Sequence, residues 1–191
     1  MLHKLKDNLT SLIKTFYQHL TYELKKRVNM KIDIRKYQSS DKLSIVRLMD
    51  KFGDYLVTVD QMKRTRRMPG FSGYFTDKML KNVDKYNGII YIAENECQIV
   101  GFIAGVMRGQ SKEELLESVP SKAGRIIELF IDEQFRGKGI GKRLMEKMED
   151  YFRQYGSDVS KVEVFEPNVK AHNFYRKLGY QDRSIEMLKK L

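Results

Sequence analysis

The residue pattern predicts an α/β protein of the mixed α+β kind: a twisted mixed sheet flanked by helices, preceded by a long amphipathic helix. Three observations predict it. Apolar residues recur at intervals of three and four through the first 28 positions, the period of one helical stripe. Short alternating apolar runs bounded by turn residues follow at 31–37, 88–93 and 99–107. Late in the chain a strand-like run over 125–131 passes through a glycine-rich turn into another helical run, the strand–turn–helix order of an α/β unit.

Taken in order, Leu2, Leu5, Leu9, Leu12, Ile13, Phe16, Tyr17, Leu20, Leu24 and Val28 form the first stripe, and Lys25, Lys26 and Arg27 suit the negative end of a helix that stops at Asn29. Residues 1–29 are thus expected to be a helical extension of a domain over 30–191. It would dock on that domain or on a second copy as a homodimer, with a membrane surface as the alternative partner for a basic amphipathic helix. Ile32 and Ile34 mark the first strand, and Asp41 is the expected cap of a helix carrying Leu43, Val46, Leu48 and Met49. A basic run over 62–71, broken by Pro69-Gly70, leads to a helix expected over 76–85. Strands 88–93 and 99–107 pair about a turn at Asn95-Glu96. A polar excursion over 108–123 holds a helical patch at 112–117. The strand to 131 is followed by a helix to about 155, a strand at 161–165, a helix over 168–178 and a short strand near 185–188.

With 191 residues, 41% of them hydrophobic, the chain builds one core. Its single cysteine, Cys97 in the expected hairpin turn, excludes an internal disulfide framework, and His3, His19 and His172 lack metal-ligand spacing, so no metal is expected. No window approaches a membrane span, nor does the start read as a secretory leader, so a soluble cytoplasmic protein is expected. A formal charge of +11 suits polyanionic partners without selecting nucleic acid.

The chemistry concentrates at Arg136-Gly137-Lys138-Gly139-Ile140-Gly141-Lys142. Glycines permit positive φ, so successive N–H groups can converge on an anion, and the following helix adds its unpaired N-terminal donors and dipole. A Walker loop is disfavoured because no Ser or Thr follows Lys142, and a Rossmann turn because the spacing is Gly-x-Gly-x-Gly late in the chain. This run resembles the acetyl-coenzyme A pyrophosphate motif, Arg/Gln-x-x-Gly-x-Gly/Ala, of the GCN5-related N-acetyltransferases (GNAT). Residues 168–180, Asn-Val-Lys-Ala-His-Asn-Phe-Tyr-Arg-Lys-Leu-Gly-Tyr, are similar to that family's late helix pattern, Asn-x-x-Ala-x-x-Phe-Tyr-x-x-x-Gly-Phe/Tyr.

The resemblance implies the GNAT fold and direct transfer of an acetyl group from acetyl-CoA to a primary amine. The implied coenzyme contacts are main-chain groups of Leu129, Phe130 and Ile131, the cradle from Arg136 to Lys142, and Asn168, which also reads as a helix cap. Tyr175 is implied as the acid that protonates the departing thiolate, since a phenol with pKa near 10 keeps its proton at neutral pH. Strand alternation places Ile127, Leu129 and Ile131 on one face and Ile126, Glu128 and Phe130 on the other, so Glu128 looks into the acceptor cleft as the implied base. Glu163, on the expected neighbouring strand, is the reserve candidate; His172 reads as an exposed helix residue.

The acceptor stays open between a small-molecule and a peptide amine. Residues 60–86 carry Lys63, Arg64, Arg66, Arg67, Lys78, Lys81 and Lys85 against Asp60, Asp77 and Asp84, a net of +4 that disfavours cationic acceptors. RNA-borne amines, such as an aminoacyl-tRNA, are open through the arm at 63–67 but not favoured. A catalytically silent acyl-CoA-binding module is the alternative from another class.

Overall fold

The computed structural model describes residues 31–190 together with Ile13, Lys14, Phe16 and Tyr17. The chain divides into two compact units, Met1–Ile32 and Asp33–Leu191. In the first, Ile13, Lys14, Phe16 and Tyr17 are helical; the rest of the expected N-terminal helix lies outside the described residues. No helix among the described residues is long and apolar enough to cross a membrane.

Strand β1 (Ile32–Lys36) is followed by a 3-10 turn (Ser39–Asp41), helix α1 (Lys42–Val59) and helix α2 (Phe71–Lys85). Then come β2 (Ile89–Asn95), β3 (Gln98–Arg108), the short α3 (Glu114–Glu117) and β4 (Ala123–Ile131). A second 3-10 turn (Glu133–Phe135) leads to α4 (Ile140–Gln154), β5 (Val159–Val162) and α5 (Val169–Lys177). The sheet order is β1-β2-β3-β4-β5, antiparallel from β2 to β4 and parallel between β4 and β5. The two helices before β2 and the one after β4 cover opposite faces. Ile45, Leu48 and Met49 of α1 and Met79 of α2 bury against Ile90, Ile92, Phe102, Ala104 and Phe130. On the other face, Met148 and Phe152 of α4 lie so close to β3 and β4 that a Cβ at Gly105 or Gly124 would stand 2.5 Å from the Met148 sulfur or 2.2 Å from the Phe152 ring.

Several expected boundaries move. Asp41 does not cap α1 with its side chain; its carboxylate accepts from Gln38 N–H at 2.8 Å and from the Arg35 guanidinium at 2.7 and 2.9 Å. Arg35 also reaches Glu94 at 2.7 Å, and a cation bridging β1 and β2 in this way outcompetes a local cap. Helix α2 starts at Phe71, five residues earlier than expected, with Gly70 in the left-handed region at φ 83° as the turn into it. Helix α4 begins at Ile140, inside the glycine-rich run, and β5 ends at Val162 rather than 165. The strand expected near 185–188 does not form. Asp182 ties the chain back to His172 at 2.5 Å and to Arg176, and Ile185, Met187 and Leu188 stay exposed, so their alternation has no sheet face to bury on. Cys97 lies exposed in the β2–β3 turn.

Candidate active site

One irregularity in β4 organises the site. The register pairs Ala104 with Glu128 but Gly105 with Ile126, so Ile127 is an extra residue, a β-bulge. A bulge resets alternation. Ile127 packs on the same apolar cluster as Phe130, and Ile126 is buried outside that cluster. The sequence-based grouping of Ile127 with Leu129 and Ile131, and of Ile126 with Glu128 and Phe130, is therefore corrected: Ile127 joins Glu128 and Phe130 on the α1 face, and Ile126 turns to the other.

The same point marks where β4 and β5 part. Their pairing runs from Ala123–Val159 to Ile126–Val162 and no further. Asp132 N–H bonds Val100 C=O of β3 at 2.8 Å, so strand alternation turns the main-chain groups of Leu129 and Ile131 to the opposite, unpaired edge. That edge can accept an extended polar chain as an added strand would be accepted. Arg136 occupies one of its acceptors, donating from Nε to Ile131 C=O at 2.9 Å.

Beyond the edge lies the glycine turn. Gly137 and Gly139 have φ of 72° and 77°, and a Cβ at either would meet nothing within 4 Å. Gly139 is the residue before α4, whose first internal bond runs from Arg143 N–H to Gly139 C=O at 3.1 Å. The N–H groups of Ile140, Gly141 and Lys142 are consequently the orphan donors of the helix end, with the positive dipole behind them. Ile140 is buried and anchors the turn, while Lys138 and Lys142 are exposed. Gly141 is not a positive-φ residue: it is helical, and a Cβ there would stand 3.2 Å from Phe174 Cζ, so it allows α5 to approach α4. Arg136 does not reach towards the turn; its guanidinium lies 4.7 Å from the Tyr55 ring and 5.4 Å from the Phe130 ring.

Asn168 caps α5, its Oδ1 accepting from Ala171 N–H at 3.3 Å, and the same oxygen accepts from the Tyr55 hydroxyl at 2.9 Å. Tyr55 was not singled out in the sequence. It continues the Leu48–Phe52 stripe at helical spacing, and in a linear pattern it reads as one more core aromatic. In the fold it links α1 to the start of α5 across the gap that opens between β4 and β5. Lys51, one turn earlier, holds buried Asp132 at 2.5 Å just past the end of β4.

Glu128 lies on β4 just past the last β5 pairing, and Tyr175 is buried on α5. Burial pushes the Glu128 carboxyl up to about 7. Burial first and the charge of Glu128 second push the Tyr175 phenol above its ordinary range, which puts the two groups in electrostatic reach of each other. Tyr175 is buried on the inner side of α5, its ring 5.2 Å from Phe174 and 5.8 Å from Tyr180. Glu163 is elsewhere: it lies past the end of β5, its side chain 84% exposed and paired with Arg125 at 2.8 Å. His172, partly covered, pairs with Asp182 outside the site. Such an arrangement can hold an anion at the turn, an extended polar arm along β4, and a proton donor and acceptor beside the arm's end.

Comparison with known proteins agrees with this fold. The model of the acetyltransferase (GNAT) family matches residues 57–180. An uncharacterized N-acetyltransferase of Methanocaldococcus jannaschii is 29% identical over 128 residues, 66% of this chain and 74% of that protein. An N-alpha-acetyltransferase of Sulfurisphaera tokodaii is 27% identical over 133 residues, 68% of this chain and 78% of its own. Among solved structures, a mutant BH1408 protein from Bacillus halodurans superposes with a TM-score of 0.72 at 21% identity, covering 83% of this chain and 99% of that one.

Proposed function

The chain belongs to the GNAT acetyltransferase family and is an N-acetyltransferase, and from that premise we propose that it transfers an acetyl group from acetyl-CoA directly to a primary amine at the gap between β4 and β5. The observation that supports this reading is the free edge of β4 past Ile126, which leads to the glycine turn before α4, with Glu128 on that strand and Tyr175 buried on α5 and sensing its charge.

The residues present fit the coenzyme. The orphan N–H groups of Ile140, Gly141 and Lys142 and the main chain at Gly137 to Gly139 would hold its pyrophosphate, with Lys138 and Lys142 as mobile counter-charges. Leu129 and Ile131 present the main-chain groups that would hold the pantetheine arm, with Phe130 between them. Asn168 orders the start of α5, and Arg136 fixes the end of β4 through Ile131 rather than touching phosphate with its side chain. When bound, acetyl-CoA supplies an activated thioester.

Glu128 is the proposed base. An ordinary lysine amine, with pKa about 10.4, is almost wholly protonated at neutral pH, and a carboxylate raised towards 7 takes that proton more readily than one at 4.5. Tyr175, whose phenol stays protonated, donates to the departing sulfur. Each group's environment suits its direction of transfer: the base is raised towards the working pH and the acid is kept from ionising. A thiol-release assay with acetyl-CoA and a panel of amines tests the reading. Glu128→Gln and Tyr175→Phe should each lower turnover while leaving acetyl-CoA affinity near wild type; absence of thiol release with every amine would instead support a silent acyl-CoA-binding module.

A further inference from the structure

The loop from Asp60 to Gly70 joins α1 to α2, leaving α1 one turn after Tyr55, the residue that bonds Asn168 at the gap. Its single carboxylate is turned inward. Asp60 is buried and accepts the main-chain N–H groups of Met62 at 3.0 Å, Arg64 at 2.7 Å and Thr65 at 2.5 Å, which braces the loop and leaves its acid unable to neutralise anything outside. Of the loop's cations, Arg67 folds back on α1 against Asp54 at 2.5 Å and Asp50 at 3.1 Å. Lys63, Arg64 and Arg66 are exposed and have no carboxylate partner among the described residues, although Lys42 and Lys51 of α1 are both paired.

Resting on the N-acetyltransferase reading, we propose that this loop is a docking strip for an acidic peptide, the segment that flanks the acceptor amine. The number of charges selects a partner with several acids. Lys63, Arg64 and Arg66 are three exposed cations on one braced loop, more than the roughly two negative charges a single phosphate brings. The composition selects peptide over single-stranded RNA. Base stacking needs aromatic platforms beside the cations, and the positions between Asp60 and Gly70 hold no Phe, Tyr, Trp or His. A braced, unneutralised strip next to the catalytic gap raises the local concentration of acidic chains and sets the register of the amine.

The test uses two labelled peptides of equal length, each with a free α-amine and one lysine, one carrying glutamates where the other carries glutamines. Binding is read by fluorescence anisotropy and acetylation by thiol release, for wild type and for Lys63→Gln/Arg64→Gln/Arg66→Gln, with the thermal midpoint as the check on folding. Wild type should bind the glutamate peptide about tenfold more tightly, the margin should shrink as salt rises, and the triple variant should lose it. Equal binding of the two peptides by wild type, or a margin retained by the folded triple variant, overturns the docking strip. So does a single-stranded RNA of matched charge that displaces the glutamate peptide at lower concentration than the peptide itself requires. Binding that depends on these three cations without acetylation of either peptide supports the strip and counts against the enzyme reading alone.

Discussion

Replacing Glu128 by glutamine should make the protein more stable as well as less active, and the size of the gain follows from the site. Glutamine keeps the shape and cannot ionise. In the unfolded chain the carboxyl ionises near its ordinary 4.5, whereas burial holds its proton in the fold up to about 7. Between those values the native state binds the extra proton, so the contribution is fully present below about 4.5, falls as pH rises, and is lost once pH passes about 7. At about 1.36 kcal/mol for each tenfold change in proton binding, the distance from 4.5 to about 7 sets a ceiling of about 3 kcal/mol. Urea denaturation of wild type and variant across about pH 5 to about pH 8 reads this as a gap that widens with pH in favour of glutamine. The same titration governs catalysis: kcat/KM for the wild type should climb with an apparent pKa near 7 that disappears in the variant, alongside a loss of about 10²- to 10⁴-fold. A stability difference that stays constant with pH would refute the desolvation of Glu128, and an unchanged pH–rate limb would refute its role as base.

Tyr175→Phe should lower kcat about 10²-fold or more, with acetyl-CoA affinity retained in equilibrium dialysis; unchanged kcat would remove its role as acid. Gly139→Ala forces a side chain into φ 77° and should cost about 1–2 kcal/mol in denaturant unfolding, without any clash to add. Gly139→Glu adds a negative charge to the cradle, and calorimetry should show acetyl-CoA binding lost. Gly141→Val drives methyl groups into Phe174, already 3.2 Å from where a Cβ would be, and should cost about 1–3 kcal/mol in thermal unfolding while the φ at that residue stays helical. Tyr55→Phe keeps the ring under Arg136 and removes one hydrogen bond to Asn168, so about 0.5–1.5 kcal/mol of stability should go, and an additional Asn168→Ala change should cost less than it does alone.

What was legible in the sequence was local. The positive-φ glycines at 137 and 139 and the Asn168–Tyr175 helix depend on neighbours within a dozen residues, and both lie where the pattern puts them. What was not legible depends on a distant partner. Whether Ile127 shares a face with Leu129 or with Phe130 is decided by the β3 register opposite it, and alternation along β4 alone assigns it wrongly. Gly141 carries no sign that its neighbour is Phe174 rather than a phosphate, because a glycine records the absence of a side chain and not the reason for it. Tyr55 reads as core because it continues the Leu48–Phe52 stripe, and only the fold puts its hydroxyl against Asn168, 113 positions away. Residues 185–188 alternate like a strand, yet alternation is a request for a sheet face, and none is beside them.

The extra residue in β4 gives one cause for features that would otherwise need three. A bulge adds local twist and breaks the even alternation of a strand. Parallel pairing with β5 survives up to Ile126 and stops at the bulge, because a strand turned out of register no longer presents evenly spaced donors and acceptors to its neighbour. The same turn frees the Leu129 and Ile131 edge for another chain and puts Ile127 beside Glu128 and Phe130 on the face covered by α1. Deleting Ile127 leaves Ile126 opposite Gly105 and Glu128 opposite Ala104, so Glu128 keeps its face while the straightened edge is free to close against β5. Deletion of Ile127 consequently predicts a folded protein with a longer β4–β5 ladder, seen as added amide-exchange protection from Val162 onward, that neither binds acetyl-CoA nor releases thiol. A folded deletion variant that still turns over would show that the bulge is incidental and that the gap has another origin.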